Sequence, residues 1–340
     1  MFKQISNTFR SISPKGLSPK SNLTPDLIDF LHQFEETVEE RLRSLIPSSK
    51  NEVTSFDWVK SAIGEVCAIQ GDIRDLIIKL ELPINNWDEK WVELYLDTTV
   101  KLLDLCIAFT SEIMRINQSN LFLQCASHTL ESDASNQYSR AQSSLATWTQ
   151  MVGGKNPRME NCSKIIKSLS ETLEFPKGKI SGKGKVLMSG MYGVRVVTVY
   201  LCSVFATIFT GDSSNMVKVK VSESFSWGSG FNELVCRVNG MLGEVMEERK
   251  AAILNEVNEV DVSVKCLRKV GQCGEMKDEV KELRCGVERL ANVLEVLEKE
   301  VDCLFKVVLD GRDALLSSLR SATLSSEASF VPFMKPQKVM

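Results

Sequence analysis

A chain of 340 residues, 43 % apolar and 25 % charged with a formal net charge of −3, has an ordinary globular composition and is long enough to bury a real core. The near-neutral balance excludes a dedicated nucleic-acid binder, which needs a basic surplus to meet phosphate. Ten cysteines, at positions 67, 106, 125, 162, 202, 236, 266, 273, 285 and 303, form no CxxC pair; they read as buried thiols in a reducing compartment and not as a disulfide framework.

Residues 1–23 carry Lys3, Arg10, Lys15 and Lys20, no acid, and many Ser and Pro, the make-up of a flexible basic arm. The arm lacks the continuous apolar core of a secretory signal. With Phe2, Ile5, Phe9 and Ile12 at near-helical spacing it overlaps in composition with organelle transit peptides, so a plastid address stands as the alternative to a cytoplasmic location. Ser13-Pro14 and Ser18-Pro19 also fit proline-directed phosphorylation, which would cancel the arm's positive charge.

From Thr24 the signals turn helical, with Thr24 placed to cap and Pro25 at the first helical position. Leu27, Phe30, Leu31, Phe34, Val38, Leu42 and Leu45 make one apolar face that ends at Pro47. A second amphipathic segment runs from about Ser55 to Leu82, with Val59, Ile63, Val66, Ile73, Ile77 and Leu80 inward. The third opens on a capping box, Asn86 with Glu89, and continues to Ile116. Its apolar positions cover more than one face, which predicts a central place in the bundle. Two shorter helices are expected at 119–131 and 134–151, then one from Pro157 to Glu174. The basic, Gly-rich KGKISGKGK at 177–185 reads as a hinge; Val186 and Lys179 stand where a phosphate-binding loop needs Ser or Thr and Gly, so it is not one.

Val186 to Thr210 is a largely apolar stretch whose only charge is Arg195, near its middle. An Arg at the centre of a spanning helix costs about 2.5–3.5 kcal/mol, close to what the apolar residues return. The stretch, with Val196, Val199, Phe205 and Phe209 on it, is therefore either a helix buried all round in a helical protein or a membrane span. With Lys177, Lys179, Lys183 and Lys185 beside it, a contact with a membrane surface is the alternative to a solvated linker.

A long helix is expected from Phe231 to about Val270, with Gly240 and Gly243 as weak points. From Val280 a heptad follows: Val280, Val287, Leu294 and Val301 at a, Leu283, Leu290, Leu297 and Leu304 at d. β-Branched a with Leu at d suits packing on one partner helix. The partner is either the preceding helix, folded back through GQCGEM, or a second molecule. VKVKV at 217–221 is too short to found a sheet. The prediction is an all-α, elongated multi-helix bundle over 24–322, with an N-terminal half at 24–174, a hinge at 175–185, the apolar helix at 186–210, an antiparallel coiled-coil-like pair at 231–320 and a disordered tail at 323–340.

Catalytic chemistry finds little purchase. His32 falls off the apolar face of its helix, and His128 has only Cys125 within reach, short of a metal set. No GxSxG is present, and neither histidine has an orienting acid with a nucleophile. No catalytic residue, cofactor or metal is expected, and the oligomeric state stays open.

Several stretches carry a resemblance: LPINNWDEKW, KWVELYLDTTVKLLDLCIAF (Lys90–Phe109), KNPRMENC (Lys155–Cys162), GKGKVLM with MYGVRVVTVYLCSVFA (Gly182–Ala206), and EVDCLFKVVLDGRDALLSSLR (Glu300–Arg320). In these the chain resembles the plant BYPASS family. The resemblance implies a non-enzymatic role in plant development, restraining a root-derived mobile signal that arrests shoot growth. It also implies helical protein partners, exocyst subunits among them.

Overall fold

The computed structural model describes residues 11–12, 23–80, 89–132, 136–174, 182–248, 253–270 and 277–328. The capping box at 86–89, most of the hinge, the GQCGEM connection and the last twelve residues of the tail fall outside them, wholly or in part. Ten α-helices carry the described residues: α1 (Pro25–Ser44), α2 (Lys50–Val53), α3 (Phe56–Leu80), α4 (Glu89–Glu131), α5 (Gln137–Val152), α6 (Pro157–Glu171), α7 (Gly182–Thr210), α8 (Gly228–Glu248), α9 (Asn255–Val270) and α10 (Lys277–Ala328). The only strands among them, β1 (Ser11–Ile12) and β2 (Lys220–Val221), pair in parallel over two residues. The protein is all-α.

Local chemistry explains most boundaries. Pro25 and Pro157 open α1 and α6 at a position whose N–H has no helical partner. Asn156 caps α6, its side chain accepting from the Arg158 N–H at 3.0 Å. Thr24, expected to cap α1, is extended but makes no side-chain cap bond. Gly211, at φ 69°, ends α7 in the left-handed region that favours glycine, and its N–H donates to Thr207 O at 2.8 Å.

Two of the boundaries that differ from the sequence reading do so for a tertiary reason. The expected break near 117–119 is absent, and α4 runs unbroken from Glu89 to Glu131. The inward half of its polar run is bonded: Ser119 donates to Ile116 O at 2.7 Å, and buried Asn120 donates to Val287 O of α10 at 3.0 Å. The expected helix over 231–270 is instead two. Gly240 and Gly243 lie within α8, and the interruption falls after Glu248. There Asn255 is tied to the start of the chain, its N–H donating to Thr54 O at 2.9 Å and its amide to Asn51 O at 2.6 Å. Glu256 then accepts the Phe56 N–H at 3.0 Å, closing the head of α3.

The core is built around α7. Every residue from Val186 to Ile208 except Arg195 is buried, under α1, α3, α4 and α6. Gly190 allows this approach, since a Cβ there would lie 2.8 Å from Ile73 Cδ1 and 2.9 Å from Leu76 Cδ2. α1 and α3 are also linked by Arg41, which donates from Nε to Asp72 at 2.9 Å and from Nη1 to Glu65 at 3.0 Å. α10 runs antiparallel along α4: Arg284 meets Glu131 at 3.1 Å near one end, and Arg312 donates to Leu96 O at 2.8 Å near the other.

Candidate functional site

The sequence singled out two sets of residues, the heptad face and the apolar helix. Val280, Leu283, Val287, Leu290, Leu294, Leu297, Val301 and Leu304 are all at most 6 % exposed. They lie on α10, whose neighbours in the chain are α4, α3 and α9. The expected partner, a helix over 231–270, is represented only by α9, where Glu259 meets Arg289 at 3.1 Å and Val260 packs 3.3 Å from the Cβ position of Gly286; α8 packs elsewhere, on α1 and α2.

In the second set Val196 and Val199 are fully buried and Phe205 nearly so. Phe109 of α4 stands edge-on to Phe205 at 6.2 Å and tilted to partly buried Phe209 at 5.8 Å. Arg195, the one charge, leaves the core sideways. Its Nη1 donates to Thr172 O at 2.8 Å and its Nη2 to the Thr172 hydroxyl, so it caps the C-terminal end of α6. Burial pulls its pKa down to about 10, against the opposing field of Asp97. The partner that lets this charge stay at the edge of the core is a helix C-terminus.

Among the described residues no three His, Cys, Asp or Glu side chains come together as metal ligands. His32 is half exposed, 3.1 Å from Glu36, and His128 is exposed. Cys106 and Cys162 are buried and their thiols are pushed up to about 12 by desolvation, which keeps them protonated and unreactive. The reading of the cysteines as buried thiols fails at Cys125, Cys236, Cys266, Cys285 and Cys303, which are exposed.

A cleft of about 280 Å³ lies between α4, the turn from α5 to α6, the end of α7 and the start of α9. Its strongest polar groups are spent on one another. Glu112 is 3 % exposed, yet it accepts from Arg115 Nε at 2.9 Å and from Asn156 Nδ2 at 2.9 Å. Arg115 also donates to Met151 O. The arrangement ties α4 to the α5–α6 turn by charge-assisted bonds.

What the sequence reading missed is on the outside of α4. Val100, Ile107, Met114 and Leu121 are 44 %, 44 %, 57 % and 53 % exposed. The signal was available as a strict seven-residue recurrence, but it was merged with the buried face into a helix apolar on several sides.

Residues 81–317 match the family model described as Protein BPS1. The chain is 40 % identical over 326 residues to Protein BPS1, chloroplastic, of Arabidopsis thaliana, across 96 % of this chain and 92 % of that protein. It is 34 % identical over 304 residues to UPF0496 protein 4 of Oryza sativa, in both the indica and japonica subspecies, and covers 64 % of the rice proteins' length. No solved structure matches it.

Proposed function

This chain belongs to the BPS1, or BYPASS, family, and on that premise we propose that it is a non-enzymatic regulator of plant development, restraining a root-derived mobile signal that arrests shoot growth. It works through contacts with other helical proteins. The observation that carries this reading is the extent of the match, which runs through nearly the whole of the Arabidopsis relative and is not confined to one motif.

That relative's name places it in the chloroplast. We extend the plastid address to this chain, because residues 1–22 are basic, free of acid and rich in Ser. A plastid location would remove exocyst subunits from the set of partners, since these work at the cytosolic side of vesicles. A cytoplasmic chain tethered at membranes is the alternative.

Reciprocal grafting tests the role. Wild-type shoots on roots lacking the protein should arrest, and mutant shoots on wild-type roots should grow. Arrest that follows the genotype of the shoot, or growth in every combination, refutes the proposal. A C-terminal fluorescent fusion, with the length of the mature chain read from the same tissue, separates plastid from cytosol.

A further inference from the structure

Scattered exposed apolar residues such as Ile78 and Val262 are normal on a protein surface. Five lie on α4, and apart from Phe122 they are not scattered. Val100, Ile107, Met114 and Leu121 recur every seventh residue along about 32 Å of helix, the spacing that keeps one seam facing a second helix. The opposite sides of the same helix are already covered, Leu105, Phe109 and Ile113 being at most 1 % exposed.

The middle of this seam lies in a cleft of about 820 Å³. Ile107 and Met114 line it on α4, Asp302 and Phe305 on α10, and Lys155 to Arg158 at the head of α6. The two walls differ in charge. Asp302 is 2.6 Å from Lys306 of its own helix, which neutralises the α10 wall. On the α6 wall Lys155 is 85 % exposed with its nearest acid, Glu160, at 3.7 Å, and Arg158 is exposed beside it.

Resting on the reading that this protein works through helical contacts, we infer that the Val100–Leu121 seam of α4 is the docking groove for an amphipathic helix of another protein, apolar at heptad spacing and acidic along the flank that faces Lys155 and Arg158. The length and spacing specify a helix, and the basic wall specifies its charge. The chain's own segments outside the structure do not match. Residues 1–10 and 13–22 together hold four basic residues and no acid, and residues 329–340 hold Lys335 and Lys338, no acid and two prolines. A second copy packed antiparallel across the seam fits poorly too, because a two-fold axis through its centre brings Lys155 and Arg158 beside their own counterparts.

The test is selection of binders from a display library of helical peptides roughly four heptads long, with apolar a and d positions fixed and both flanks randomised. The target is the full-length chain. Selected peptides should carry an excess of acid on one flank. They should lose about tenfold or more in affinity against Met114→Asp, and against Lys155→Glu with Arg158→Glu. All three residues are exposed, so the variants should keep the wild-type circular dichroism and melting temperature. An empty selection, binders with no acidic excess, binders that keep their affinity for Met114→Asp, or a wild-type dimer that Met114→Asp dissociates would each overturn the inference. If grafting supports the developmental role while these peptides fail, the surface is wrong and the role stands.

Discussion

The heptad face of α10 offers the sharpest stability prediction, because the same residues serve one purpose if they are a core and another if they await a partner. Leu290 and Leu297 are both fully buried within the single chain. Cutting either to Ala removes three carbons from a packed site, at about 2–5 kcal/mol each. The two lie seven residues apart, about 10 Å along the helix, so their costs should nearly add. A loss of about 4–10 kcal/mol rivals the whole stability of an ordinary domain, about 5–15 kcal/mol. Urea unfolding of dilute full-length protein, followed by circular dichroism, should show a lower midpoint for each single variant and little remaining transition for the double. Ile107→Ser, at a position 44 % exposed, serves as the control and should move stability by no more than about 0.5 kcal/mol. A double variant that unfolds at the wild-type midpoint would refute the assignment of this face to the protein's own core.

Arg195→Leu strips Thr172 O of its donor at the end of α6 but also removes a buried Nε that has no hydrogen-bond partner; the net loss should be about 1 kcal/mol, read as a lower melting temperature, and an unchanged or higher one would show that the cap contributes nothing. A Cβ at Gly228 would sit 2.5 Å from the backbone oxygen of Ser222, whereas one at Gly230 would sit 2.6 Å from the movable Oε2 of Glu39. Gly228→Ala should therefore destabilise by about 2–3 kcal/mol and Gly230→Ala by less, and the reverse order in thermal melts would contradict this packing. Burial raises the pKa of Glu256 above its usual value of 4.5, so between that value and the folded pKa the folded chain keeps a proton that the unfolded chain has released. The stability it contributes is present below pH 4.5 and is lost as pH rises through the folded pKa. Measured against Glu256→Gln, the wild type should lose relative stability across that interval, and a difference that does not vary with pH would exclude the effect.

What could be read from the sequence depended on whether a helix buries one stripe or several. α1, α3 and α6 each bury one stripe and stop at a proline or a cap, so periodicity and punctuation located them. α4 is different. Its buried faces belong to α5, α6, α7 and α10, elements that all come later in the chain, and periodicity records that a face is apolar without recording what covers it. The same pattern therefore hid the exposed seam at Val100 to Leu121. It also made Asn117 to Asn120 look like a break, when the partner that makes Asn120 tolerable is a carbonyl on α10. The interruption between α8 and α9 was invisible for a related reason, being set by Asn255 and Glu256 bonding to residues near 51–56. The heptad was legible as a packing surface, but a heptad states how a helix packs and not which helix it meets.

α7 shows how far composition alone can carry a location. It is the one described helix long and apolar enough to cross a membrane, and that property suits a fully covered core helix equally well. The covering helices separate the two roles. Leu31, Phe34 and Val38 of α1, and Ile63, Val66 and Ile73 of α3, are at most 6 % exposed in a packing layer that includes α7. Moving α7 into lipid would expose these residues to water, because the opposite faces of α1 and α3 carry Glu36, Glu40, Lys60 and Arg74 and would not follow it into hydrocarbon. Arg195 would lose the α6 terminus that now receives its charge. This fold and a membrane-spanning α7 are thus mutually exclusive states of the chain, and any attachment to a membrane compatible with the fold must be made from its surface.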